Sequence, residues 1–236
     1  MQHLRRQPLP LRPKITRVLN RRYFKDYKFF HRFPAIEYGT ILDIGAHRGE
    51  FAKRACLHYS PKTLCLVEAD PKLAESLRHE IVRFPGASIV HAAIAERNGP
   101  VTLRLNEHDA SSSLLPISHR AQEMFGRPLK EVGTVTVPGM TLDELFCQLK
   151  FTQVDLMKVD IQGGERGLLQ SGQTALQKTR VIYLEVLFTE QYENCALFTE
   201  LHDRLNCAGF KLQFFDDMRR GKNGDLLYSN ACYFRH

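Results

Sequence analysis

Residues 40–51 read Thr-Ile-Leu-Asp-Ile-Gly-Ala-His-Arg-Gly-Glu-Phe. An apolar run containing Asp43 gives way to the small residues Gly45, Ala46 and Gly49, and a helix-forming stretch begins at once. This is the form of a buried strand that turns tightly into a helix beneath a nucleotide-like ligand. About twenty residues on, Leu64-Cys-Leu-Val-Glu68-Ala-Asp-Pro71 forms a second apolar strand ending in an acid. Together they outline a βαβ unit that holds an adenosyl group, with Glu68 placed for two ribose hydroxyls.

The acids decide which adenosyl compound. Asp43 beside the turn suits a ligand whose amino-acid end carries an ammonium group, and it would repel a pyrophosphate. The Gly45-Ala-His-Arg-Gly49 spacing also lacks the Gly-x-Gly-x-x-Gly of dinucleotide binders. Both features point to S-adenosylmethionine. The expected cofactor contacts are Asp43, Gly45, Ala46, Gly49, Glu68, Ala69 and Asp70. Ala93 joins them, in a stretch of small residues (His91-Ala-Ala-Ile-Ala) where an adenine ring can approach the backbone.

The rest of the chain reads as α/β. Near-continuous apolar runs at about 40–44, 63–68, 87–93, 154–159 and 180–187 alternate with helices, as in a parallel sheet covered on both faces. Leu73, Leu77 and Ile81 recur every four residues after Asp70-Pro71, a helix-start pair. Phe198, Leu201 and Leu205 mark a later helix that ends before Gly209. Val101–Leu105 and Val132–Val137 read as strands around a polar loop, Asp109-Ala-Ser-Ser-Ser-Leu-Leu115, a candidate lid. Phe210–Phe215 and Tyr228–Phe234, joined by a Gly/Asn turn, read as a closing hairpin. The predicted fold is therefore Rossmann-like: a mostly parallel seven-stranded sheet closed by an antiparallel C-terminal hairpin, with helices on both faces. That is the architecture of class I methyltransferases.

The chemistry is expected at Val154-Asp-Leu-Met-Lys-Val-Asp160-Ile-Gln-Gly-Gly-Glu165. Strand alternation puts Lys158 and Asp160 on one face, and Asp160 stands at the carboxyl end of the strand, where ligands of open α/β sheets collect. Asp160 is the first candidate base or substrate-positioning acid. Glu185, at the end of the fifth apolar run, is the second. Glu165 completes the predicted catalytic set, at a helix start where the dipole favours a carboxylate.

Composition sets the outer bounds. With 236 residues, 43 % hydrophobic and 25 % charged, the chain suits one soluble domain with a terminal extension. No apolar run approaches the ~18–20 residues that cross a bilayer, and the N-terminus lacks the apolar core of a secretory signal. A cytoplasmic location is expected. The six cysteines form no Cys-x-x-Cys pair, so reduced thiols fit better than disulfides, and no metal centre is expected.

The net charge of +7 is uneven. Residues 1–32 hold ten Lys/Arg against the single acid Asp26, while acids slightly outnumber bases beyond them. The chain divides at this point into a basic N-terminal extension, residues 1–33, helical over about 14–31, and a catalytic domain, residues 34–236. Aromatics interleave the cations (Tyr23, Phe24, Tyr27, Phe29, Phe30), so part of the extension is expected to pack on the domain. The alternatives are an anionic membrane surface or a phosphate-bearing substrate, which would place the protein peripherally at a membrane, and a nucleic-acid arm.

Asp43-x-Gly-Ala-x-x-Gly49, Glu68-Ala-Asp-Pro71, Ala93-Ile-Ala-Glu-Arg-Asn-Gly99 and Lys158-x-Asp-x-x-Gly-x-Glu165 occur in this order, followed by Gly172 and Glu185. Over residues 38–235 the sequence resembles the FkbM-type S-adenosylmethionine-dependent methyltransferases. The resemblance implies a class I methyltransferase and O-methylation of a hydroxyl on a sugar, glycan or polyketide-like small molecule. Two positions depart from it: His47 stands where the family commonly has Asn, and Gln162 where it commonly has Glu. Gln162 can hydrogen-bond but cannot ionise. The rival readings are a nucleic-acid or protein methyltransferase on the same fold, and a catalytically idle scaffold kept for binding.

Overall fold

The computed structural model describes residues 29–81, 84, 86–121 and 130–235. The chain opens with β1 (Thr40–Ile44), α1 (Glu50–Tyr59), β2 (Thr63–Glu68), α2 (Pro71–Ile81) and β3 (Ala87–His91). Then come β4 (Ala93–Ile94), β5 (Gly99–Asn106) and β6 (Glu131–Met140). The second half runs α3 (Leu142–Gln148), β7 (Val154–Val159), α4 (Glu165–Gln170), α5 (Gln173–Gln177), β8 (Thr179–Leu187), α6 (Phe198–Cys207), β9 (Lys211–Arg220) and β10 (Leu226–Phe234).

One seven-stranded sheet has the order β3-β2-β1-β7-β8-β10-β9. Its first five strands are parallel, and β10 lies antiparallel to both β8 and β9. The predicted hairpin thus closes the sheet with its later strand inside. Composition explains that order: Ala231, Cys232 and Tyr233 of β10 are fully buried, whereas Asp217–Arg220 of β9 are exposed. Strand order reverses between β1 and β7, the switch point that opens a ligand crevice in doubly wound sheets.

The strand expected over 87–93 breaks at Ala92. The Ala92 amide still bonds to the Glu68 carbonyl (3.1 Å), but Ala93 and Ile94 turn away to pair with Gly139 and Met140. Together with the β5–β6 pair they make a separate three-stranded sheet, ordered β4-β6-β5, which alternation alone does not reveal.

Alternating side chains feed two cores. Leu42, Ile44, Met157, Val159 and Ile182 pack on one face against Leu142, Leu145 and Phe146 of α3, Leu168 and Leu169 of α4, and Leu201 and Leu205 of α6. Ile41, Leu64, Leu66, Leu156 and Val181 face Phe51, Ala52 and Ala55 of α1 and Leu77 and Ile81 of α2. Burying one such Leu, Ile or Phe side chain stabilises the fold by ~1.5–3 kcal/mol. Phe30 and Phe33 belong to this second core, and the Phe29 and Tyr183 rings meet edge-on at 5.5 Å. Nine of the ten cations of the N-terminal segment, all but Arg32, fall on residues 1–28, outside the described residues, as does most of the helix expected there. Among the described residues no helix is long and apolar enough to cross a membrane.

Candidate functional site

A cavity of about 920 Å³ lies along the carboxyl ends of the sheet strands. One half is built by the first turn. Gly45 has φ +71°, and a Cβ there would land on the carbonyl oxygen of Asp160, so the loop can run close to β7 only with glycine at this position. The Gly45 and Ala46 amides both donate to the Val67 carbonyl (3.0 and 3.1 Å). The turn then aims the His47 amide at Glu68 Oε2 (2.7 Å), while the Asp70 amide donates to Oε1 (2.8 Å). Burial pushes the Glu68 carboxyl up and these two donors oppose it. Fixed at both oxygens, Glu68 still has lone pairs free toward the cavity, the geometry a vicinal diol needs. Ala46, Ala69, Asp70 and Ala93 line the same half.

Two expected cofactor contacts stand elsewhere. Gly49 caps α1 with φ +70°, and its missing side chain makes room for Leu77 and Leu66; it does not line the cavity. Asp43 is fully buried and does not line it either. Its charge faces Lys158, with Nζ 3.4 Å from Oδ1. Burial pushes the Asp43 carboxyl up, against the pull of Lys158. Burial would lower the Lys158 ammonium, but Asp43, Asp160 and Glu185 outweigh it and hold it above the ordinary lysine value. The physical reason is register: Asp43 and Lys158 are paired neighbours on β1 and β7, so the acid meets a strand lysine and not the ligand space.

Asp160 follows β7, and its Oδ2 lies 3.7 Å from Lys158 Nζ. It lines the cavity. Its Oδ1 accepts from the Gln162 amide at 2.6 Å, and the same nitrogen donates to Glu185 Oε2 at 3.0 Å. Gln162 holds a left-handed backbone, φ +54°. Its side-chain oxygen accepts from Tyr192 Oη (2.5 Å) and its carbonyl from Ser113 Oγ (2.6 Å). Glu185 is half-buried and sits behind Gln162, not on the cavity wall. Burial first, then the Asp160 and Glu165 charges, push its carboxyl well above the usual range. Glu165 is buried, accepts from the Ile161 amide (3.1 Å), and is pushed up to about 7 chiefly by burial. It too is absent from the wall. Of the three predicted catalytic acids, only Asp160 faces the ligand space.

The polar loop borders the site. Its 3-10 turn, Asp109–Ser111, carries Asp109 to an ion pair with Arg48 and to His47 Nε2 at 2.9 Å. Ser112, Ser113 and Leu114 line the cavity. The far half of the wall, beyond Asp160, is made by Phe29, Arg32, Phe51, Tyr183, Asp216, Asp217 and Asn230. Motif spacing gave no sign of this hairpin contribution. Among the described residues no group of three His, Cys, Asp or Glu side chains converges to hold a metal ion.

Comparison with known proteins bears on the family and the fold. Residues 43–212 match the model of the methyltransferase FkbM domain. The chain is 30 % identical over 201 residues to the 2-O-methyltransferase NoeI of Sinorhizobium fredii (strain NBRC 101917 / NGR234), covering 81 % of this chain and 79 % of that protein. The crystal structure of methyltransferase FkbM from Methylobacillus flagellatus KT superposes with a TM-score of 0.54 at 12 % identity, over 84 % of this chain and 44 % of that one. That likeness is one of fold, and this chain spans less than half the length of that protein. The matched domain and the NoeI relative lead to one assignment: the chain belongs to the FkbM methyltransferase family.

Proposed function

We propose that the protein methylates a hydroxyl of a sugar or glycan, with S-adenosylmethionine as donor. The observation that carries this reading is Asp160. It is the one acid of its cluster on the cavity wall, Gln162 occupies its Oδ1, and Oδ2, 3.7 Å from Lys158 Nζ, keeps a lone pair to accept a hydrogen bond from an incoming hydroxyl. The similarity to a protein named as a 2-O-methyltransferase supports oxygen as the acceptor.

The residues present fit the cofactor. Glu68 is the diol acceptor, Ala69 and Ala93 leave room for a flat ring, and the backbone of Gly45–Ala46 borders the cavity. The cofactor supplies an already activated methyl group, so this chain has to orient the acceptor and receive a proton. Asp160 Oδ2 takes the hydroxyl proton. Lys158 on one side and Gln162 on the other keep the carboxyl group from turning. A positioned base of this kind contributes ~10²–10⁴-fold.

Titration calorimetry with S-adenosylmethionine and S-adenosylhomocysteine is the test, beside Glu68→Ala and Asp160→Asn. Binding that Glu68→Ala abolishes supports the cofactor site. Methyl transfer that Asp160→Asn reduces by ~10²–10⁴-fold, with cofactor binding retained, supports the base. Well-folded protein that binds neither compound refutes the reading.

A further inference from the structure

The cavity is lined by residues from Ala93 on β4, through Asp160 after β7, to Asp217 on β9, and its volume of about 920 Å³ is near the top of the ~300–1,000 Å³ range of small-molecule pockets. The part beyond Asp160 is laid out by the hairpin register. Asn230 pairs with Glu185 on one side and with Asp216 on the other, so the three side chains share one face of the sheet. From β7 to β10 is two strand steps and to β9 three, about 10 and 14 Å at the usual ~4.8 Å spacing. No single pyranose ring reaches from Asp160 to that end.

This end is equipped for hydroxyls. The Asn230 side chain has no hydrogen-bond partner among the described residues, yet it lines the cavity with one acceptor and two donors. Asp216 is held by Arg32, whose guanidinium also donates to the Phe215 carbonyl (2.7 Å) and lies over the Phe214 ring at 4.2 Å. The pair is neutral as a unit, and Asp217 on the same wall is paired with Arg219, so the subsite has no excess positive charge to recruit an anion. Tyr183 Oη stands 3.4 Å from Asp216 Oδ2. Its ring stacks with Phe51 at 5.9 Å and 16°, giving an apolar bed beside the polar row. A shift of register between Tyr228 and Asn230, with Asp217 at φ +48°, marks a bulge; bulges re-aim side chains next to active sites.

We infer that the hairpin forms a second sugar subsite, so that the acceptor is a neutral oligosaccharide of at least two rings. One ring presents its hydroxyl to Asp160 and the next is read by Asn230 and Asp216 over Tyr183. The inference rests on the hydroxyl-acceptor reading above.

The test offers labelled S-adenosylmethionine and the full chain to a neutral glycan array, then measures kcat/KM on matched mono-, di- and trisaccharides of the sugars that accept methyl. The expected result is a preference for the disaccharide over its monosaccharide of about tenfold, the worth of one or two hydrogen bonds. Asn230→Ala is expected to remove that preference and Asn230→Ser to restore part of it, with calorimetry of cofactor binding reporting the intact fold. Equal efficiency on mono- and disaccharide overturns the inference alone, as does a preference that Asn230→Ala leaves unchanged. Protein that binds the cofactor and methylates no sugar overturns the glycan reading and this inference with it.

Discussion

Lys158 Nζ donates a 2.8 Å hydrogen bond to the Gly45 carbonyl, so one buried ammonium ties β7 to the glycine turn that follows β1. The same nitrogen is the counter-charge of fully buried Asp43. Removing one partner of such a pair leaves an uncompensated charge, at a cost of about 3–5 kcal/mol. Lys158→Met is therefore expected to lose about that much stability at neutral pH in urea titration. The loss should shrink as pH falls and Asp43 takes up a proton. Lys158→Met/Asp43→Asn should recover most of it, and a double mutant no more stable than Lys158→Met would show that the two groups are not coupled.

Gly45→Ala separates backbone strain from steric conflict. The left-handed conformation costs a non-glycine residue about 1–2 kcal/mol, and the added Cβ also meets the Asp160 carbonyl. Gly224 has a similar φ, +89°, with nothing near its would-be Cβ. Gly224→Ala should therefore cost only the backbone share, whereas Gly45→Ala should cost more and weaken cofactor binding. Thermal denaturation and calorimetry of both variants check this, and equal losses would refute the proposed close approach.

The residues that the sequence exposes most clearly are those whose place depends on their own strand. Glu68 and Asp160 each end an apolar run, and a strand end at the carboxyl edge suffices to put them in the cavity. Asp43 is also near a strand end, yet its neighbour on β7 turns out to be Lys158, and one strand's pattern cannot supply the register of another. Glu185 is screened by Gln162, whose left-handed backbone is a property of the turn after β7. Asn230 and Asp216 reach the site through pairing across three strands and a bulge. No local spacing encodes that. The break at Ala92 has the same origin, since a partner forty-six positions away, Gly139, competes for Ala93.

Asp109 ties the loop to the turn after β1 through Arg48 and His47. Both contacts are partly exposed, so Asp109→Ala should change stability by no more than about 1 kcal/mol. Its effect should fall on the loop. Hydrogen exchange at residues 107–117 is expected to accelerate and cofactor affinity to drop, while added salt should produce part of the same loosening in the unaltered protein. Unchanged exchange would mean that the other ties of the loop, Ser113 Oγ to the Gln162 carbonyl and the Ser113–Arg104 backbone pair among them, hold it without Asp109.

Glu165 gives a pH signature with a definite sign. Its carboxyl is pushed up to about 7 in the fold against an ordinary value of 4.5, so between those values the folded chain holds the proton that the unfolded chain has lost. Its contribution is fully present below about pH 4.5 and is lost as pH rises toward about 7. The loss is roughly 3 kcal/mol at most, by ~1.4 kcal/mol per pH unit. Glu165→Gln keeps an oxygen for the Ile161 amide and cannot ionise. The variant should match the parent in stability near pH 4.5 and exceed it at pH 8, as read from urea midpoints across that range. Turnover should persist, because Glu165 does not reach the cavity. A variant that is less stable at pH 8, or inactive while well folded, would return Glu165 to the catalytic set.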